Sequence, residues 1–373
     1  MKKIGILTYH SGYNYGASLQ AYALQTIIQK MGYDVEIINF EKDEFKASRE
    51  MITKNPKRFK EIVKIFTRLP YFSSLNIRQK RFDDFTNYTL NVTDRFNNEQ
   101  DVIKNIVKYD CIVCGSDQIW NVSGKDPLSE NMLFFLNFKK QQRRVAYAAS
   151  FGTKVEASIF RENEYLPWIK NFDYISVRES NAENYLKSKK IDCTSTLDPT
   201  ILLDKEDYDS ICEKRIIKTP YILMFGWNTN DDLIKAAKKA SKEYGLPVYN
   251  IVPPPRGFFC GIKRKLDVGP KEFLSLIKYA DFIITNSFHG TAFSVTYEKP
   301  FISVVTGKAD ERMKSMLEQL NLSHRLCTID EIDFSQIKSS DFRNVREKKI
   351  ILRKNSFNFL NRALNWSEDN DRF

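Results

Sequence analysis

The sequence predicts an α/β protein of two domains, each a parallel sheet flanked by helices, with the functional site between them. Three observations support this. The chain has 373 residues, more than one domain usually holds. Short buried-strand patterns alternate with amphipathic helix patterns in two separate regions. A polar, poorly periodic stretch between Asp204 and Thr219 divides them.

The first region opens with the strand KIGILTY, the polar glycine loop HSGYNYG, the helix ASLQAYALQTIIQKMG and the strand YDVEIINF. Leu19, Tyr22, Ala23, Thr26 and Ile27 keep the spacing of three and four that gives a helix one apolar face. Further strands are expected at DCIVCG, RVAYAAS and YISVRE. In the second region YILMFG, PVYNIVP, DFIITN and PFISVV read as strands, with helices between them. One of those helices carries Asp231 and Asp232 at its positive end and stops at Gly245. These patterns define two Rossmann-like domains, residues 1–205 and 206–340. An insertion spans residues 44–100, and a helical segment at 341–373 is expected to pack back on the first domain.

Hydrophobic residues make up 42% and charged residues 28% of the chain, the balance of an ordinary globular protein. The apolar stretch after Lys2 and Lys3 is too short for a signal peptide, and no run reaches the roughly 18 residues a membrane span needs. A cytoplasmic protein is therefore expected. Six cysteines (Cys111, Cys114, Cys193, Cys212, Cys260 and Cys327) are scattered without the density of a disulfide framework. Cys111 and Cys114 form a CxxC on a strand, where positions i and i+3 face opposite sides, so buried packing is expected rather than redox or metal chemistry.

Net charge is +11, and eleven basic residues against two acids fall between Lys46 and Arg81. Large apolar residues interleave with them. Two readings stand: a helical insertion with a solvated basic face, or a surface that docks on anionic lipid or a lipid-linked substrate. No helix-turn-helix, zinc-finger or RNA-recognition signature accompanies the patch, so no nucleic-acid partner is expected.

Ligands of open α/β sheets lie at the carboxyl ends of strands, beside helix N-termini. That rule selects four loops. Gly12, Asn14, Gly16 and Ser18 in the first suit close approach of backbone to an anion, or a turn needing positive φ. In the second, Asp117, Gln118 and Trp120 crowd directly behind a strand, as a binding site would have them. Arg178 in the third is placed either to clasp a carboxylate or phosphate or to pair with Glu179. In the fourth, His289 sits between a strand and a helix start with Gly290 behind it, suited to general acid–base work. Of the other two histidines, His10 lies in the first loop and His324 in a polar stretch.

The segments NYGASLQAYALQ, CGSDQIWN, YAASFG, ISVRES, LDPTILL and NSFHGTAFS, in that order, resemble the polysaccharide pyruvyl transferase family. The resemblance implies a fold similar to GT-B glycosyltransferases. It also implies transfer of the enolpyruvyl group of phosphoenolpyruvate to a sugar, ending in a cyclic pyruvate ketal with phosphate released. Family members act in assembly of capsule, exopolysaccharide or cell-wall glycans, generally without a bound metal, and no cofactor beyond the donor is expected. The family's essential histidine maps onto His289, and an arginine used for donor anions maps onto Arg178. Where many members carry an arginine two residues before the histidine, this chain has Ser287, so that contact is either missing or supplied elsewhere, with Arg312 as the candidate. The donor side is thus expected at Ser287, Gly290, Thr291 and Arg312. The acceptor sugar, free or lipid-linked, is expected at Asn14, Tyr15, Gly16, Asp117, Gln118 and Trp120. A peripheral contact through residues 46–81 would place the protein at the inner face of a membrane. A nucleotide-sugar glycosyltransferase and a non-catalytic glycan-binding protein are the alternatives the same architecture allows.

Overall fold

The computed structural model describes residues 1–43, 59–122, 132–139, 142–152, 162–226, 230–253, 261–305, 311–337 and 341–365. Two six-stranded parallel sheets form the frame. The first contains β1 (Lys3–Leu7), β2 (Asp34–Ile37), β3 (Cys111–Cys114), β4 (Arg143–Ala149), β5 (Tyr174–Val177) and β6 (Thr194–Ser195), in the order β2-β1-β3-β4-β5-β6. The second contains β7 (Ile222–Phe225), β8 (Val248–Asn250), β9 (Lys263–Arg264), β10 (Phe282–Thr285), β11 (Phe301–Val304) and β12 (Leu326–Cys327), in the order β12-β11-β10-β7-β8-β9. The predicted α/β class is what the chain adopts. Strand order reverses between β1 and β3 in one sheet and between β7 and β10 in the other. Those crevices are where doubly wound sheets hold ligands.

The helices are α1 (Tyr15–Lys30), α2 (Phe59–Arg68), α3 (Phe72–Tyr88), α4 (Glu99–Asn105), α5 (Glu162–Ile169), α6 (Ser180–Ser188) and α7 (Pro199–Leu202). They continue as α8 (Lys205–Asp209), α9 (Asp231–Tyr244), α10 (Pro270–Lys278), α11 (Phe288–Thr296), α12 (Glu311–Gln319) and α13 (Asp341–Leu364). Local chemistry explains their starts. Asn14 accepts from the Gly16 amide at 2.9 Å, Asn230 from Leu233 at 3.0 Å and Asp198 from Thr200 at 3.0 Å. Each satisfies an amide the first turn leaves open.

Alternation along the strands sorts apolar residues into three layers. Ile4 and Ile6 of β1, Cys111 and Val113 of β3, Leu223 and Phe225 of β7 and Ile283 of β10 share one central cluster. Leu7, Ile112 and Cys114 face the outer layer of the first domain, and Ile222, Met224 and Ile284 that of the second. Cys111 and Cys114 therefore lie on opposite faces of their sheet, as the strand period requires. The central cluster draws on both domains, so the two sheets are joined by a common core through α1, α7, α10 and α11.

Polar clamps reinforce that junction. Tyr15 Oη donates to the Val268 carbonyl at 3.0 Å and stacks on Phe273 with 4.6 Å between centroids. Arg78 donates to Tyr15 Oη and to the Ile251 carbonyl, and Arg81 pairs with Asp267 and Glu272. The basic segment is thus not wholly a solvated face: these two arginines of α3 are spent on the domain contact. Its first part, residues 46–58, lies outside the described residues. The last helix returns to the first domain, where Arg143 holds the Ala363 and Asn365 carbonyls at 3.0 and 2.9 Å. Among the described residues no helix is long and apolar enough to cross a membrane.

Candidate active site

Two helix starts, one from each domain, converge at the crevices. Asn14 caps α1, which makes Gly16 the second residue of its first turn. Ser287 caps α11, its Oγ accepting from the Gly290 amide at 3.4 Å, which makes His289 the second residue of that turn. His289 is 8% exposed and lies directly against Gly16. Its Nε2 is buried with no hydrogen-bond partner. Burial lowers the imidazole below its usual 6.5, Asp198 and Asp117 oppose that, and Arg178 and Arg312 add to it. A neutral imidazole with one open nitrogen, enclosed by carboxylates, can accept a proton and have the resulting cation stabilised.

Asp198 is the hub of the surrounding network. It lies three residues past the end of β6, 2% exposed, with Pro199 opening α7 behind it. Its Oδ2 accepts from Arg178 Nη1 at 2.7 Å and Ser116 Oγ at 2.8 Å, and its Oδ1 from Thr200 Oγ1 at 2.7 Å. Burial alone would raise the carboxyl. Arg178, His289 and the Thr200 bonds outweigh it and hold Asp198 below the ordinary carboxylate range.

Arg178 meets two more acids. Nε lies 3.4 Å from Glu179 Oε1, and Nη2 lies 3.5 Å from Asp117 Oδ1. Burial would lower this guanidinium, and the three carboxylates more than reverse that. The pairing with Glu179 that the sequence left open is therefore realised. Three carboxylates surround Arg178, while its Nη2 has no hydrogen-bond partner. Its plane covers the Phe288 ring at 4.5 Å, and Arg312 of α12 approaches the same ring at 5.9 Å. Glu179 accepts a hydrogen bond from Ser150 Oγ, and its Oε2 is buried without a hydrogen-bond partner. Burial raises this carboxyl, against the opposing pull of Arg178. An imidazole kept neutral and a carboxyl biased toward its protonated form stand around one guanidinium, a pairing that separates base from acid.

The loop after β3 delivers Ser116 and Asp117. A Cβ at Gly115 would sit 2.2 Å from the Tyr147 carbonyl oxygen, and φ there is +119°, so only glycine fits. Asp117 also has positive φ, at +70°, held by its Oδ1 accepting from the Gln118 amide at 2.8 Å.

The remaining expected residues divide. Asn14 is spent on capping α1, and Ser287 on capping α11. Thr291 is fully buried against Ser303 at 2.7 Å, and Gly290 packs on Thr285. Gln118 is half-buried and accepts from Asn121 at 3.0 Å. Tyr15 is the interdomain wedge described above. Trp120 is fully buried, stacked on Phe135 and bonded to the Phe134 carbonyl at 3.3 Å, so it supports the loop from below and offers no surface to a sugar. His10 is enclosed, its nitrogens 3.1 Å from the Thr8 carbonyl and 2.9 Å from Asn39 Oδ1. His324 accepts from Arg325 Nε at 3.2 Å, well away from this network.

Sequence reasoning missed Asp198 and Ser150, and read Glu179 only as a partner for Arg178. It also missed a polar cavity of about 290 Å³ at the carboxyl ends of β1 and β2, lined by Ser11, Tyr13, Asn39, Glu41, Asp83 and Arg95 among others. Among the described residues no group of histidine, cysteine and acidic side chains is placed to hold a metal ion.

Two doubly wound domains with a histidine at a helix start between them define a GT-B-like protein. The sequence profile of the polysaccharide pyruvyl transferase family matches residues 14–307, and the chain belongs to that family. Anabaena HepE in complex with UDP-glucose is similar in fold, with a TM-score of 0.53 and 11% identity over 96% of this chain and 99% of that one. The Staphylococcus aureus MnaA–UDP structure (TM-score 0.47, 15% identity, 94% and 88% covered) and the Methanocaldococcus jannaschii UDP-GlcNAc 2-epimerase with UDP-GlcNAc and UDP (0.46, 14%, 96% and 100%) share less. No curated protein sequence matches the chain.

Proposed function

We propose that the protein transfers the enolpyruvyl group of phosphoenolpyruvate to a sugar of a cell-surface polysaccharide or its precursor, forming a pyruvate ketal. One observation carries this reading beyond family membership. His289, neutral and with Nε2 open, stands where two helix starts and Arg312 offer positive potential beside a carboxylate network. A donor with a carboxylate and a phosphate suits that positive end.

In this reading the donor anions rest at the start of α11 and on Arg312. His289 accepts the proton of the sugar hydroxyl as its oxygen bonds to C2 of the donor. C3 gains a proton from the site, for which Glu179 is the candidate acid. Phosphate then leaves C2, taking the proton held by His289, and a second hydroxyl of the same sugar closes the ketal as its proton passes to the Glu179 carboxylate. Arg178 acts as a positioning residue, fixing Asp198, Asp117 and Glu179 around the imidazole. The polar cavity beside Tyr13 offers room and hydrogen-bond partners for the acceptor.

The test is phosphate release from phosphoenolpyruvate with a panel of glycan acceptors, with the ketal followed by NMR. His289→Ala should abolish both signals. Turnover that survives the substitution would contradict the role given to His289.

A further inference from the structure

We propose that α2 and the turn after it form an interfacial anchor that seats the protein on an anionic lipid surface. At about 100° per residue, α2 carries Val63, Ile65 and Phe66 on one arc and Thr67 and Arg68 on the other. Val63 is 36% exposed. Phe66 is 71% exposed, and the ridge continues through Leu69 at 62% and Phe72 at 49%. A helix of a globular domain turns such a face into the core.

The next helix behaves differently. Leu75, Arg78, Phe82 and Phe85 of α3 are buried, and Arg78 and Arg81 tie it to the second domain. The body of the protein is thus fixed to α3, and α2 extends from its start with the apolar ridge outward.

Charge selects the occupant. Between Lys46 and Arg68 the sequence carries eight basic residues against two acids. A second copy would bring two such segments together and repel, whereas anionic headgroups complement them. A strongly apolar face opposite a basic one, with little net hydrophobicity, is the pattern of a helix lying in the lipid interface. The inference concerns where the protein sits and stands whichever group it transfers.

The experiment is sedimentation of the full chain with phosphatidylcholine vesicles, with and without phosphatidylserine, alongside Phe66→Asp/Leu69→Asp. Wild type should pellet with the phosphatidylserine vesicles and be released by salt. The double variant should lose binding by about tenfold or more while keeping its circular dichroism and melting temperature. No pelleting, equal pelleting with neutral vesicles, or an unaffected variant would overturn the proposal. A dimer in the ultracentrifuge that the same variant dissociates, without vesicle binding, would assign the ridge to a second copy instead.

Discussion

Gly16 and His289 belong to different domains and touch: a Cβ on Gly16 would lie 2.1 Å from His289 Nδ1. The imidazole is held in place by a missing methyl group. In Gly16→Ala the ring must move, since the glycine is fixed in the first turn of α1. Turnover should fall about 100-fold, the cost of a displacement near 1 Å at a reacting group. Forcing the buried ring aside costs about 1–3 kcal/mol, so a modestly lowered melting temperature with a much larger loss of turnover is the expected pair. Full activity in the variant would place His289 away from the reaction.

Asp198→Asn should be among the most damaging single changes. The variant keeps the bulk but leaves Arg178 short of its nearest carboxylate at the centre of the protein. Loss of about 3 kcal/mol is expected from breaking a buried pair on one side, measured by urea denaturation. The same change removes a group that favours protonated His289.

The pH dependence follows from two displaced groups. His289 in the folded chain holds its proton less tightly than the ordinary 6.5. Between the folded value and 6.5 the unfolded chain binds more protons, so stability increases with pH across that window. Asp198 is depressed from 3.8; its contribution is complete above 3.8 and is lost as pH falls through the lower folded value. With His289 as the base, kcat/KM should decline on the acid side with an apparent pKa below 6.5. A profile flat through this region would exclude His289 as the titrating base.

Tyr15→Phe tests the domain junction. The hydroxyl donates to the Val268 carbonyl and accepts from Arg78, both buried. Removing it should destabilise the chain by about 1–3 kcal/mol, visible as a lower melting temperature in calorimetry. Because the ring and its stacking on Phe273 remain, the two domains should still unfold in one transition.

The frame was legible because its long strands and helices carry a clear period; β4 and α9 fall within one residue of the patterns RVAYAAS and DDLIKAAKKASKEY. The strands β6, β9 and β12, of two residues each, are too short to show any period, so one edge of the first sheet and both edges of the second were invisible. His289 was legible from its place between a strand and a glycine. Asp198 was visible only as an acid before Pro199, the signature of a helix cap. Its bonds to Ser116 and Arg178 come from loops 82 and 20 residues away, and no local pattern encodes them. Tyr15 and Trp120 read as site residues because aromatic groups in polar loops resemble a binding surface. Their burial depends on partners such as Phe273 and Phe135, which only the tertiary fold brings near.

The central claim is that phosphoenolpyruvate binds at the start of α11, beside His289 and Arg312. Thermal unfolding with phosphoenolpyruvate, inorganic phosphate and a set of nucleotide sugars tests it without knowledge of the acceptor. At 100 times its dissociation constant the donor should stabilise the fold by about 2.7 kcal/mol, and Arg312→Ala should remove most of that shift. Stabilisation by a nucleotide sugar with none from phosphoenolpyruvate would contradict the account and move the assignment to glycosyl transfer.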